Sequence, residues 1–308
     1  MKPARLIRCA LAALALSLTA GCTTSRAVVP STTPGTAPST AGAGVDRASV
    51  VSYAAAPPKV RALVDHTGLE PVVESTGARL ALGRHVVVAG DVDATELHQI
   101  ALLGDLAADA VDRMDRRSFA GKLLILAPAT ESDFRAWDGT GYADAWGVTK
   151  VMPWHGGPTW VTLHLSAPGI SAATLDDDRL LLRRVITHEV FHALTLSPTS
   201  RAPKWLTEGF AELAGPTLGP HVVPEHASLP SDAQVHHDPL GYFWAWQFAS
   251  FLTQHAGRAR SMRFYLAAVA PHWHATMNAL SRRYLGASLS SLVHSWQHAY
   301  RAQGPIDP

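Results

Sequence analysis

Apolar residues recur along this chain with two different periods. His85-Val86-Val87-Val88-Ala89-Gly90 is a short apolar run closed off by Gly83 and Gly90, which predicts a buried strand. Leu97, Ile100, Leu103, Leu106, Ala107 and Val111 fall three or four apart and predict a long helix from Ala94 to Met114. Lys122 to Ala127 (KLLILA) predicts a second strand, and a short helix starts between Ser132 and Trp137. Trp160 to Ser166 (WVTLHLS) alternates instead. Val161, Leu163 and Leu165 share one face while Thr162, His164 and Ser166 share the other, the pattern of a strand half open to solvent.

Helical periodicity dominates the remainder. Asp176, Asp177 and Asp178 supply N-cap and first-turn acids for a helix from about Arg179 to Leu196. Pro203 sits near the first position of the next helix, which Gly215-Pro216 stops after Ala214. Thr217 to Pro239 is rich in Pro and His and reads as irregular. Tyr242 to Gln254, Ala259 to Val269 and Leu289 to Arg301 read as further helices. Upstream, residues 47–81 are poorly defined, with a short helix over Lys59 to Val64 and a short strand over Arg79 to Leu82. No internal repeat is found. Strands interleaved with helices, then helices alone, predict an α+β domain with a mainly helical C-terminal part.

The first residues follow a different logic. Lys2, Arg5 and Arg8 form a basic start, and Cys9 to Leu18 is an apolar run of signal-peptide length, too short to span a bilayer. Leu18-Thr19-Ala20-Gly21-Cys22 then resembles a bacterial lipobox, with Thr19 where Leu is more usual. On this reading residues 1–22 carry a lipoprotein signal and Cys22 becomes the acylated N-terminus, anchoring the protein to a membrane on its extracytoplasmic face. Ordinary secretion with a free Cys22 is the alternative. Residues 23–46, rich in Thr, Ser, Pro, Ala and Gly, read as a flexible spacer, and 47–308 as the folded domain.

Composition narrows the choice of partner. A chain of 308 residues with 47% apolar content can bury a substantial core. A net charge of +1 gives no basic surplus for nucleic acid, so no nucleic-acid partner is expected. The two cysteines, Cys9 and Cys22, both precede the domain and leave it without a disulfide. Sixteen histidines are many for this length.

Two of them stand in a chemically loaded spacing. In His188-Glu189-Val190-Phe191-His192 the histidines lie four apart, on one face of the predicted helix, where both imidazoles can reach one zinc ion. Glu189 lies one step round the helix, placed to take a proton from metal-activated water. Leu181, Leu182, Val185 and Ile186 in the preceding turns make the helix a buried one. A helix returning beside it would bring Glu208 of Trp205-Leu206-Thr207-Glu208-Gly209-Phe210-Ala211-Glu212 to the same ion. Two His and one Glu leave a fourth position for water, as catalytic rather than structural zinc sites do.

HEVFH followed by WLTEGFAEL resembles the gluzincin metallopeptidases, the group that includes thermolysin and the membrane-alanyl-aminopeptidase type, and in particular a form found in bacterial lipoproteins and envelope proteins. The resemblance covers His188 to Glu212 firmly and only the order of elements from His85 to Arg301. It implies a zincin-like fold, a small mixed sheet with an edge strand over the active-site helix. It implies that His188, His192 and Glu208 bind Zn2+ and that Glu189 is the general base. It implies that Glu212 hydrogen-bonds a zinc-bound histidine. It assigns substrate backbone pairing to the strand before the zinc helix, at Thr162 and His164. An oxyanion donor is expected from Tyr or His beyond the second helix, Tyr242 first, then His236 and His237. Trp205, Trp244, Trp246 and Trp296 read as core aromatics, and His221, His226, His272 and His274 as ordinary histidines.

The expected activity is hydrolysis of peptide bonds in an extracytoplasmic peptide or protein. Internal cleavage is favoured, because no adjacent motif captures a free amino end. Two other readings stay open: a zinc-binding lipoprotein that acts as an envelope adaptor or assembly factor without turnover, and a chance motif in a cell-wall-binding domain.

Overall fold

Six strands form one mixed sheet in the computed structural model, which describes residues 49–115, 122–139, 146–150, 160–165, 180–197, 199–215, 225–238, 240–271 and 275–305. They are β1 (Ser49–Ser52), β2 (Arg79–Leu82), β3 (Val86–Gly90), β4 (Leu123–Ala127), β5 (Gly147–Lys150) and β6 (Trp160–Leu163). Their order across the sheet is β1-β2-β3-β4-β6-β5. β3, β4 and β6 run parallel, while β1–β2, β2–β3 and β5–β6 pair antiparallel.

Every residue of β3 and β4 is buried. Their unbroken apolar sequence follows from helices covering both faces of parallel strands. On one face, Val86, Val88, Ile125, Val161 and Leu163 meet the main core, which includes Leu97 and Ile100 of α3 (Ala94–Asp115). On the other, Val87, Ala89, Leu124, Leu126 and Trp160 pack with Val60 and Val64 of α1 (Pro58–Asp65) and Val73 of α2 (Glu70–Ser75). Trp137 completes this second core from a π-helical turn (Arg135–Gly139) that continues α4 (Glu131–Phe134). Asp105 of α3 accepts backbone N–H groups of Arg84 and His85 at 2.7 Å each and of Val86 at 3.2 Å, tying the helix to the turn that enters β3.

Among the described residues seven helices follow: α5 (Leu180–Thr195), α6 (Lys204–Ala214), α7 (Asp232–His237), α8 (Gly241–Ala256), α9 (Arg258–Val269), α10 (Met277–Leu285) and α11 (Leu289–Gln303). α5 lies against α3, β5 and β6, and α6 is held between α5 and α8. Gly209 sets the α6–α8 approach, because a β-carbon there would fall 2.3 Å from the carbonyl oxygen of Ala245. Trp205, Trp244, Trp246 and Trp296 are all buried in this helical layer.

Two expectations need correction. The strand at Trp160 is not an edge strand. β6 pairs with β4 on one side and β5 on the other, and all four of its residues are buried. Thr162 and, just past the strand, His164 share the parity of Trp160 and are buried rather than open to water. Among the described residues the edge beside α5 is β5. Nor is the stretch from Thr217 to Pro239 irregular throughout. Ser231 caps α7 through a reciprocal pair with Gln234, a capping box that offsets the poor helical sequence around it. The expected signal segment, Cys22 and the spacer lie outside the described residues, as do Asp176 to Asp178, His221, His272 and His274.

Candidate metal centre

α5 and α6 run antiparallel and face each other across a polar seam inside an apolar interface. Arg184, His188 and His192 descend α5 at intervals of four, which stacks them on one face. Glu208 and Glu212 climb α6 at the same interval. His188 and His192 meet Glu208, while Arg184 meets Glu212.

Three ligand-type atoms converge. Nε2 of His188 lies 3.1 Å from Oε2 of Glu208, Nε2 of His192 lies 3.1 Å from the same oxygen, and the two nitrogens lie 3.1 Å apart. Each ring nitrogen carries a single in-plane proton or lone pair, so three mutual contacts cannot all be hydrogen bonds. A cation satisfies such a triangle. Donors about 2.0–2.1 Å from a tetrahedral ion stand roughly 3.3 Å from one another, close to the spacing found. All three side chains are buried, at 0–1% exposure, where unpaired charge is costly and metal coordination is one of the few remedies. His188, His192 and Glu208 could therefore hold a metal ion.

The groups behind the triangle favour that arrangement. Oε1 of Glu208 takes the Thr207 hydroxyl at 3.3 Å and lies 3.9 Å from the Lys204 ammonium, leaving Oε2 for the two rings. Oε1 of Glu212 lies 3.1 Å from Nδ1 of His188, so the carboxylate stands behind the ring and Nε2 faces Glu208. Oε2 of Glu212 accepts both Nε of Arg184, at 2.9 Å, and Nη2. Nδ1 of His192 has no such partner among the described residues.

Ionisation follows from the same contacts. Burial opposes a charged His188, but its hydrogen bonds to Glu208 and Glu212 outweigh that cost and push its pKa up to about 10. Burial would raise Glu208, yet His192 and His188 hold it well below the ordinary carboxylate range. Burial would raise Glu212 as well, and Arg184 with His188 brings it down to about 2.

Glu189 lies one step round α5 from His188 and sits under β5. Thr149 donates its hydroxyl to Oε2 of Glu189 at 2.6 Å and also stands 2.9 Å from the Glu189 carbonyl. Gly147, on the same face of β5, leaves room for the carboxylate, since a β-carbon there would fall 2.8 Å from Cγ of Glu189. The ring of Tyr242, at the start of α8, lies 6.1 Å from that of His188, and its hydroxyl is 3.4 Å from Nδ1 of His236. His237 is exposed. Thr162 and His164 are not part of the site. Both are buried on the far face of the sheet, where His164 stacks on Phe134 at 4.3 Å.

Sequence reasoning passed over Arg184, Thr149, Gly147 and Gly209. Arg184 carried a signal, being one turn before His188 on the same helical face. Thr149 and Gly147 carried none, because their role depends on a four-residue strand forty residues from Glu189. No family model, curated protein or solved structure matches the chain.

Proposed function

We propose that this chain is a zinc-dependent peptidase with a zincin-like, gluzincin-type catalytic core, acting on extracytoplasmic peptides or proteins. The observation that carries the reading is the buried triangle of His188, His192 and Glu208 with Glu189 one residue along the same helix. A two-His, one-carboxylate donor set is one that zinc accepts, and three protein ligands are the number catalytic zinc sites use. When bound there, zinc would lower the pKa of water toward neutrality and polarise a scissile carbonyl.

The chain's own residues supply the remainder. Glu189 accepts a proton and returns it to the leaving amine, with Thr149 fixing one carboxylate oxygen so that the other is available. Tyr242 is the candidate donor to the developing oxyanion, its hydroxyl oriented by His236. The role of pairing with substrate backbone passes from Thr162 and His164 to β5, whose outer edge has no strand beside it among the described residues.

Export and lipid anchoring through Cys22 belong to the same proposal and rest on the N-terminal sequence. No helix among the described residues is long and apolar enough to cross a membrane.

The test pairs metal analysis with turnover. Purified protein should carry one zinc per chain and cleave unfolded protein substrates in a chelator-sensitive way. Glu189→Gln should keep the zinc and lose the cleavage. Stoichiometric zinc with no cleavage of a broad substrate panel would favour the adaptor reading. No zinc at all would end the metal assignment.

A further inference from the structure

The seam between α5 and α6 extends one turn beyond the ligands. Glu212 divides its two oxygens between two partners: Oε2 accepts from Arg184, and Oε1 faces Nδ1 of His188 at 3.1 Å. A carboxylate held at one oxygen by two N–H groups of a planar guanidinium has little freedom to rotate. Its other oxygen is then fixed in direction. Glu212 is buried to 2% exposure and Arg184 to 18%, so solvent does little to loosen the pair.

We propose that Arg184 is a positioning residue for the metal, acting through Glu212 to fix the orientation and tautomer of His188. The inference rests on the metal-binding reading above. The chain of contacts runs from Arg184 to Glu212 to His188, each link crossing between α5 and α6. A carboxylate oxygen 3.1 Å from Nδ1 favours the proton on that nitrogen, which leaves the lone pair of Nε2 for the triangle. No carboxylate of the described residues pairs with Nδ1 of His192, so this relay acts on His188 alone. The Arg184–Glu212 ion pair also ties together the two helices that carry the ligands, at the end away from His192.

The test is zinc affinity, measured on the whole protein by competition with a chromophoric chelator. Arg184→Met keeps the aliphatic stem and removes the fork. Its zinc affinity should fall about 10- to 100-fold, the usual cost of losing a partner behind a ligand. Glu212→Gln should fall by a similar factor. The double variant should be little worse than either single one, because both cut the same relay. A cobalt-substituted sample should show an altered absorption spectrum in Arg184→Met, which loss of packing distant from the ligands would not produce. Arg184→Lys keeps the charge without the planar fork, and should bind zinc less tightly than wild type. It carries the test if Arg184→Met does not fold.

Wild-type affinity in either Arg184 variant overturns the inference. Fully additive effects of Arg184→Met and Glu212→Gln also overturn it. A wild-type protein that binds no zinc, or a His188→Ala variant that binds it normally, defeats the metal reading itself and is distinguishable from both.

Discussion

Thr149 reaches from the edge strand to the helix below it and donates its hydroxyl to Glu189 at 2.6 Å. The residue two positions earlier on the same face of β5 is Gly147, whose missing side chain leaves space for that carboxylate. The strand thus both holds and shapes the position of the proposed base.

Gly147→Ala should displace Glu189 without disturbing the metal. The added carbon would lie 2.8 Å from Cγ of Glu189, too close for either to stay in place. A shift of about 1 Å in a reacting group can cost roughly a hundredfold in rate. Turnover is expected to fall by about that factor, with zinc content unchanged. A variant with full activity would show that Glu189 is not constrained from this side.

Glu189→Gln should lower turnover by roughly a hundred- to ten-thousand-fold, the range for loss of a general base. The amide is nearly isosteric and still accepts from Thr149 through its carbonyl oxygen, so thermal stability should change little. Equal loss of zinc and activity would instead make Glu189 a structural residue.

Glu208→Gln should remove stoichiometric zinc. The substitution takes away the one anionic donor in the triangle and leaves His188 and His192 buried beside a neutral amide. Metal content by elemental analysis, with a denaturant melt to confirm the fold, reads this directly.

Metal-free protein should be most stable between about pH 4.5 and 6.5. Glu212 has an ordinary pKa of 4.5 and one of about 2 in the fold. Its contribution is complete above pH 4.5 and disappears as the pH falls through 2. That difference corresponds to roughly 3 kcal/mol for a group this buried. His188 moves from 6.5 to about 10, so its contribution is complete below pH 6.5 and disappears as the pH rises through 10. Melting temperature in excess chelator, scanned from pH 2 to 10, should trace this plateau. Glu212→Gln should flatten the acid side, and an unchanged acid side in that variant would contradict the ionisation described.

Gly209→Ala should destabilise the protein by about 1–3 kcal/mol, the range for overpacking a tight contact. Its β-carbon would meet backbone of α8 rather than a side chain that can turn aside. Because Glu208 is the preceding residue, zinc affinity should fall with it. Urea melts and chelator competition on the same samples measure both effects.

The long elements were legible in the chain because their apolar period is strong. The predicted helix from Ala94 to Met114 ends within one residue of α3, and the predicted helix from Arg179 to Leu196 within one residue of α5 at each end. Among the short elements, Arg79–Leu82 was legible and others were not. β1, α2, β5 and α10 span four to nine residues each, too few for a period to stand out from chance. β5 matters most, since Thr149 and Gly147 act through it.

Sequence alone determined which side chains share a helix face. The spacing of four in His188–His192, and again in Glu208–Glu212, follows from 3.6 residues per turn and needs no tertiary information. Only the tertiary structure decided what faces what. It brought Arg184 to Glu212 and Glu212 to His188, and among the described residues it put β5 rather than β6 at the sheet edge. Local periodicity fixes direction around one axis. The partner met in that direction depends on how separate elements pack, and the alternation of Trp160 to Leu165 cannot distinguish a solvent face from a second core.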